Sequence, residues 1–476
     1  MLTRLILISC GLGAAVWSYS RWRQAIQAAM FLLLVEGAIR KWLLPGAQDI
    51  VYFAKDLLLL GAYAGWLAAS GHRSLPRLPA LKAALLVSAL YGLAEIFNPR
   101  LPNPLVGVFG FKAYFWYIPL LFVLPDVFPD DGALARFLKR YVLTAIPIGL
   151  LAIAQFFAPA SSPINTYARA AEDIGYVSTF GSSSFVRVTA TFSYITGYSS
   201  YLFAAIILLL GILATVQWRF RRNLQLYVAL GMTVLGILLT GSRGPLILLA
   251  AAFPFYWWLA VARERGAGAT FSRLVLAVGL VLLLISYAAS DAVDAYLGRA
   301  AGGAADISSR LLSPFVEPFA TFPAAGLEGY GIGATHQTAA ALAKDRIPYS
   351  WLEGAGVEGE PGRIMLELGL PGFLVFYFIR LYLALFALRQ ARALRTLFHR
   401  AIATAAFLFF FAQIPGSIVF DVTTDVYYWF FAGLLLTVMV LDRVALPASQ
   451  PAVAPPAARR RPAAVPARVR LLDASR

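Results

Sequence analysis

Apolar runs of about twenty residues follow one another along almost the whole chain, and this pattern constrains the fold more than any other feature. A helix needs roughly 20 mostly apolar residues to cross a bilayer, where only helices and closed barrels satisfy their backbone hydrogen bonds. Of the 476 residues, 60% are hydrophobic and 13% are charged, and this charged share is about half that of a soluble domain. The sequence therefore predicts an all-α, polytopic integral membrane protein.

About thirteen apolar segments, within a range of 12–14, are predicted as membrane spans. They lie near 2–19, 24–44, 51–69, 80–97, 111–128, 141–158, 195–217, 224–240, 245–261, 274–289, 364–387, 401–420 and 426–442. Residues 1–446 thus form one predicted transmembrane domain. The segment 447–476 is basic and rich in Pro and Ala, which predicts a disordered cytoplasmic tail.

Basic residues are concentrated in alternate short loops, as the positive-inside rule expects of cytoplasmic loops. These loops contain Arg21, Arg23, Arg73, Arg77, Arg136, Lys139, Arg140, Arg219, Arg221, Arg222, Arg263, Arg265, Arg389, Arg392, Arg395 and Arg400. The count places the N-terminus outside, the C-terminus inside and the long 290–363 loop on the periplasmic side. We expect this loop to be an ordered lid on the membrane surface, limited to short helical pieces by Pro314, Pro318 and Pro323.

The segment 240–245, Thr-Gly-Ser-Arg-Gly-Pro, joins two predicted spans at the outer face. An arginine at the membrane boundary is a functional candidate by default. Pro245 suits the first turn of a helix, with Gly244 or Ser242 as its cap. Arg243 is therefore predicted beside free backbone N–H groups at the positive end of a helix dipole, a combination that suits phosphate. The alternative is an arginine that only marks the interface.

The segment 326–336 is rich in glycine, which predicts a tight, mobile turn before an Ala-rich helical run. Thr335 suits the helix cap, so His336 is predicted in the first helical turn, where the dipole disfavours its charged form. A neutral imidazole can accept a proton. His72 and His399 lie in predicted cytoplasmic loops, so His336 is the one outward histidine. The alternative is a surface histidine without a catalytic role.

Other charged residues lie near the predicted outer surface, and two interpretations stay open for them. Those in the first half, which either form ion pairs between helices or bind substrate, are Glu36, Arg40, Lys41, Lys55, Asp56 and Lys112. Those at the end of the long loop, which either mark the interface or belong to a site, are Glu360, Arg363 and Glu367. The outward loops lack cysteine and paired metal-ligand motifs, and the chain lacks nucleotide-binding motifs. We therefore expect neither a metal nor another cofactor.

Several motifs resemble the O-antigen ligase and O-antigen polymerase superfamily. They are the Ser-Arg-Gly junction at 242–244, the long loop with Arg310, the Gly-rich turn before His336, and Glu-Leu-Gly-Leu-Pro-Gly at 367–372. The resemblance covers about 185–385, while the first half matches only in hydropathy. It implies an inverting, metal-independent glycosyltransferase of the bacterial inner membrane that acts on the periplasmic face.

The resemblance also implies substrates and roles. The donor would be a glycan on undecaprenyl diphosphate, and the acceptor another glycan or the lipid A core. By position, catalysis falls to His336 and Arg243, and binding of the diphosphate or glycan to Arg187, Arg243, Arg310 and Glu367. The motif around Arg187 is weak, and Glu367 is either part of the site or structural.

Two other functions stay open from the sequence. A transporter or flippase would show internal repeats and broken, charged helices, whereas a non-catalytic assembly subunit would need neither. Membrane lipids are expected partners of any of these. Nucleic acid is not, because the net charge of +16 comes from loop and tail residues rather than from a basic binding surface.

Overall fold

The computed structural model of the chain describes residues 2–101, 103–168, 177–180, 185–215, 220–242, 254–263, 304–336 and 359–444, with isolated positions between them. Regular structure in these residues is helical, apart from one isolated bridge between Thr179 and Val186. The α-helices are α1 (Leu2–Ser20), α2 (Trp22–Ala38), α3 (Gln48–Tyr52), α4 (Ala54–Ala68), α5 (Pro79–Glu95), α6 (Pro104–Phe115), α7 (Leu120–Val127), α8 (Asp131–Leu143), α9 (Ala145–Phe157), α10 (Ile195–Thr215), α11 (Phe220–Thr240), α12 (Ala304–Ala325), α13 (Glu360–Ala393), α14 (Leu397–Ala412) and α15 (Val422–Val444).

Within the described part of the chain, six helices are long and apolar enough to cross a membrane, or seven if α6 and α7 form one bent span. The six are Pro45–Ala68, Asp131–Phe157, Ile195–Thr215, Asn223–Thr240, Glu360–Ala393 and Val422–Val444. This is the composition of a helical membrane protein, but the predicted thirteen spans are not confirmed. The predicted span 111–128 corresponds to two helices bent by 41°, a break that hydropathy does not detect. Spans 245–261 and 274–289 lie partly outside the described residues.

Two helices lie at the centre of the bundle. The apolar window of α15 is buried along its whole length, and that of α10 is buried almost completely. A helix that is apolar all round, as these two are, is stable only when other helices surround it. Helix α7 packs on α15, and α14 packs on both α10 and α15.

Loops that are predicted to be cytoplasmic meet at one end of this bundle. The Arg23 guanidinium donates to the carbonyl oxygen of Asp126 at 2.9 Å, and the backbone N–H of Arg73 donates to the Asp126 carboxylate at 2.9 Å. His399 lies 2.9 Å from the carboxylate of Asp131. Four separate basic loops therefore share one face, as alternating topology requires, and its cytoplasmic assignment remains a prediction.

The described part of the long loop contains a longer helix than the sequence suggests. Helix α12 continues for 22 residues through Pro314, Pro318 and Pro323, so the expectation of short pieces is wrong. Each proline removes one intrahelical hydrogen bond. The helix persists because it packs along α13.

The other face of α12 is apolar and exposed. It presents Leu312, Phe315, Val316 and Phe319, which are 56% to 79% exposed and recur at the spacing of one helix face. A helix with one exposed apolar stripe is suited to lie in a membrane interface. This surface supports the expectation of an ordered segment that rests on the membrane.

Helix α13 is broken at Gly369, whose backbone angles are φ 61° and ψ −168°. Only glycine adopts this conformation readily. The break leaves the carbonyl oxygens of Leu366 and Glu367 free to accept hydrogen bonds from the backbone N–H groups of Tyr330 at 2.8 Å and Gly331 at 2.9 Å. The broken helix therefore forms the docking point for the Gly-rich turn (residues 326–336).

Candidate functional site

The Gly-rich turn is docked closely against two helices. Gly329, Gly331 and Gly333 all have positive φ angles, of 67°, 96° and 85°. A Cβ atom at Gly333 would lie 2.6 Å from the carbonyl oxygen of Val106 in α6, and one at Gly329 would lie 2.5 Å from that of Glu367 in α13. Glycine is needed here for close backbone approach as well as for conformation. The turn is thus firmly docked, whereas the sequence predicted a mobile one.

The carboxylate of Glu367 anchors the end of this turn. One of its oxygens accepts from the Thr335 backbone N–H at 2.8 Å and the Thr335 hydroxyl at 2.6 Å. The other accepts from the Gly333 N–H at 3.0 Å and the Tyr114 hydroxyl at 2.9 Å. Glu367 is fully buried, so these four donors occupy its acceptor capacity. Its contacts are those of an anchor, and its assigned role in substrate binding remains a prediction.

His336 follows the anchored turn and lies near two cations. Its ring stacks on Phe109 at a centroid distance of 6.5 Å. Burial, followed by the positive charges of Lys112 and Arg363, lowers the pKa of His336 to about 4. The neutral imidazole that the sequence predicts is therefore favoured, but burial and two cations are the cause rather than a helix dipole.

Arg363 is a candidate site residue to which the sequence assigned no definite role. Its guanidinium donates to the hydroxyl of Thr335 at 3.1 Å and to the carbonyl oxygen of the same residue. It also lies over the ring of Phe420, 3.6 Å from the centroid. Within the described residues it forms no direct ion pair with a carboxylate, although its charge acts on Glu367 one turn further along α13. The sequence signal was its position one turn before Glu367.

The charged residues of the first half form ion pairs with one another. Lys112 lies 2.6 Å from Asp56, Lys55 lies 2.8 Å from Glu36, and Arg40 lies 4.0 Å from Glu36. All five side chains are largely buried. The interpretation as ion pairs is therefore confirmed for these residues, and Lys112 combines such a pair with proximity to His336.

Lys41 holds the extended segment that precedes α10. Its amino group donates to the hydroxyl of Thr189 at 3.0 Å and to the carbonyl oxygens of Ala190 at 2.6 Å and Phe192 at 2.8 Å. Three oxygen acceptors satisfy the three donors of a buried ammonium group. The segment that carries Arg187 is therefore fixed to the end of α2.

Arg187 lies directly at the junction that the sequence predicted as an anion site. Its Nε donates to the carbonyl oxygen of Thr240 at 2.9 Å, and its Nη2 lies 3.5 Å from the hydroxyl of Ser242. A Cβ atom at Gly241 would lie 3.1 Å from the Arg187 Nε. The structure thus joins Arg187 to the residues immediately before Arg243, although 53 residues separate Arg187 from Thr240.

The two other predicted arginines lie wholly or partly outside the described residues. Arg243 lies outside the described residues. Arg310 lies in α12, and its side chain is outside the described part. Convergence of Arg187, Arg243 and Arg310 on one anion therefore remains a prediction.

The described residues offer an anchored neutral imidazole with Lys112 and Arg363 nearby, and a separate junction that carries Arg187. This chemistry suits proton removal beside an anionic group. No group of three or more His, Cys, Asp or Glu side chains that could hold a metal ion occurs in the described part, and metal independence stays a prediction. Comparisons with protein-family models, curated proteins and solved structures found no match.

Proposed function

We propose that this chain is a glycosyltransferase of the O-antigen ligase or polymerase type, which transfers or polymerises an undecaprenyl-diphosphate-linked glycan on the periplasmic face of the bacterial inner membrane. One observation carries the proposal. A buried imidazole with a low pKa lies near Lys112 and Arg363, on a turn that Glu367 anchors. A general base must be neutral, and nearby cations suit an anionic leaving group.

In the proposed reaction, an acceptor hydroxyl loses its proton to His336 while its oxygen bonds to the anomeric carbon of the donor. The bond from that carbon to the diphosphate oxygen breaks, and its electron pair stays on the diphosphate. Arg363 and Lys112, together with the three arginines assigned by resemblance, would stabilise the developing charge. Attack opposite the leaving group inverts the anomeric centre, and the donor linkage supplies the free energy.

A transporter or flippase is the second candidate, and the break in α13 is the observation that favours it. In transporters, the carbonyl groups of unwound helices coordinate ions. Here the carbonyl oxygens of Leu366 and Glu367 accept hydrogen bonds from the Gly-rich turn, and that of Leu368 accepts from the Tyr91 hydroxyl at 2.8 Å. These three groups are satisfied within the protein, which argues against their use as ion ligands in a transporter.

The test is an assay of the purified full-length chain with a defined lipid-linked oligosaccharide and several labelled acceptors. We expect transfer by the wild type and a loss of about 10²–10⁴-fold in His336→Ala, the usual cost of losing a general base. His72→Ala is the matched control, because His72 contacts Asp126 at the opposite end of the bundle. His336→Gln should be as inactive as His336→Ala if His336 accepts a proton.

The other two functions predict different results. Translocation of the lipid-linked glycan across proteoliposomes, without transfer to any acceptor, would identify a flippase. Neither transfer nor translocation would favour the non-catalytic assembly subunit. Full transfer activity in His336→Gln would remove the base role and leave a role in positioning the acceptor.

A further inference from the structure

A cleft of about 520 Å³ opens at the end of the bundle opposite the candidate site. It lies between the loop before α5 and the last turns of α13 and α15, and its lining includes Arg77, Arg443, Gln390, Phe386 and Met439. Helix α5 begins beside this cleft and extends for 17 residues, or about 25 Å. The other end of α5 leads to Asn98, whose amide donates to the Glu328 carbonyl oxygen of the Gly-rich turn.

Two exposed arginines in this cleft lack acidic partners. Neither Arg77 nor Arg443 forms an ion pair or a side-chain hydrogen bond within the described residues. Asp442, which adjoins Arg443 in the chain, accepts from His399 at 2.8 Å, and Asp126 accepts from the Arg73 backbone N–H at 2.9 Å. Two like charges at one cleft repel each other, and a bound anion would relieve that repulsion.

The backbone adds further donors at the same place. Leu78, which lines the cleft, is the N-cap of α5 and gives it no side-chain hydrogen bond. Pro79 at the first helical position has no N–H, so the backbone donors of this helix start that favour an anion begin with Ala80. The rest of the lining includes the apolar side chains of Leu75, Phe386 and Met439. The cleft therefore combines a cationic mouth with an apolar wall.

We propose that this cleft binds the headgroup of an anionic phospholipid, with its phosphate between Arg77 and Arg443 and its acyl chains along Phe386. Arg443 lies in the last turn of α15 and Arg77 lies two residues before α5, and the ends of membrane-spanning helices lie near the lipid headgroups. The basic C-terminal tail is a poor occupant, because its six arginines, Arg459, Arg460, Arg461, Arg468, Arg470 and Arg476, carry the same sign of charge. The site is independent of the proposed transferase reaction.

The test is native mass spectrometry of the full-length chain in detergent, titrated with phosphatidylglycerol or phosphatidylcholine. We expect preferential retention of phosphatidylglycerol, and a loss of affinity of about 30-fold in the double variant Arg77→Gln/Arg443→Gln, from roughly fivefold per arginine. The control is Arg21→Gln/Arg140→Gln, which removes the same charge from exposed residues outside the cleft. Both double variants should retain the wild-type thermal midpoint in phosphatidylcholine, which separates lost binding from misfolding.

Three results would overturn the proposal. Equal retention of the two lipids would show that the cleft does not select anionic headgroups. An equal loss of affinity in the two double variants would show general attraction to a basic surface. Efficient competition by glycerol phosphate would identify a site for a free phosphate compound, because the proposed site uses its apolar wall to hold acyl chains and glycerol phosphate has none.

Discussion

Replacing Glu367 with glutamine separates an anchoring role from a role in substrate binding. The four donors to the carboxylate come in two pairs, and each pair contains one backbone N–H, from Thr335 or from Gly333. In Glu367→Gln, one oxygen becomes an NH₂ group that cannot accept. Whichever way the amide is oriented, one of these backbone N–H groups then points at another donor, and a backbone N–H cannot turn away as a hydroxyl can.

The loss in the free energy of unfolding that Glu367→Gln causes follows from these hydrogen bonds. A buried donor without a partner costs about 1–3 kcal/mol, and the weakening of charge-assisted bonds to neutral ones adds about 1–2 kcal/mol. We therefore expect the free energy of unfolding to fall by about 2–5 kcal/mol in Glu367→Gln. Tyr114→Phe removes a single donor at 2.9 Å and leaves the other three in place, so its cost should be about 1–2 kcal/mol.

The assay is thermal unfolding in detergent. Transferase activity is then measured at a temperature where the wild type and all three variants are folded. Glu328→Gln is the matched control, because Glu328 is an exposed carboxylate on the same turn and should behave as wild type. The expected order of thermal midpoints is wild type and Glu328→Gln, then Tyr114→Phe, then Glu367→Gln. A wild-type midpoint in Glu367→Gln together with lost activity would refute the anchoring argument and favour direct contact with substrate.

Three other predictions follow from the site and the topology. Arg243→Ala should abolish transfer at an unchanged protein level, and Arg243→Lys should recover little because a point charge cannot make forked contacts; full activity in Arg243→Ala would leave only an interface marker. Gly369→Ala should lower the free energy of unfolding by at least about 2 kcal/mol, since its Cβ would clash with the backbone carbonyl oxygen of Leu327, whereas Gly231→Ala, which meets nothing within 4 Å, should not. In a background without the native cysteine, Glu328→Cys should react with impermeant thiol reagents from outside and Arg140→Cys only after permeabilisation; the reverse would exclude a periplasmic site.

The sequence predicts a Gly-rich turn before His336, which the structure contains, but the break in α13 was not predicted. The signal for that break is Gly369 followed by Pro371, because glycine adopts unusual backbone angles and proline lacks an N–H. The proline rule failed at Pro314 in α12, where packing against α13 preserves the helix. Packing of this kind depends on residues that are distant in the chain, which periodicity does not report.

The sequence could not predict which distant residues contact the site residues, for the same reason. Lys112 lies more than 220 positions before His336 in the chain, and nothing in either local sequence connects them. Arg187 had the weakest motif of the predicted arginines, yet its contact with Thr240 joins it to the junction before Arg243. Spacing along one helix can be read from a sequence, whereas contacts between helices depend on how the bundle assembles.

The low pKa of His336 makes it a weak base for the proposed mechanism. Binding of the anionic donor would raise that pKa. An imidazole with a pKa of about 4 is neutral throughout pH 5–8, but it is a weak base. A diphosphate bound near Lys112 and Arg363 would offset the two cations that disfavour protonation. The pKa of His336 should therefore rise when the donor binds, so that the base strengthens only in the complex that reacts.

This coupling can be measured because the chain has three histidines. In protein with isotope-labelled histidine, the signal lost in His336→Gln identifies His336, and its titration by NMR gives the pKa. Arg363→Gln should raise that pKa, since it removes a positive charge, whereas Arg100→Gln should leave it unchanged, because Arg100 is not among the charges that act on His336. A short-chain prenyl diphosphate should raise the pKa in the wild type and raise it less in Arg363→Gln. An unchanged pKa with bound diphosphate would place the anion away from His336, and the proton of the acceptor would then need another base.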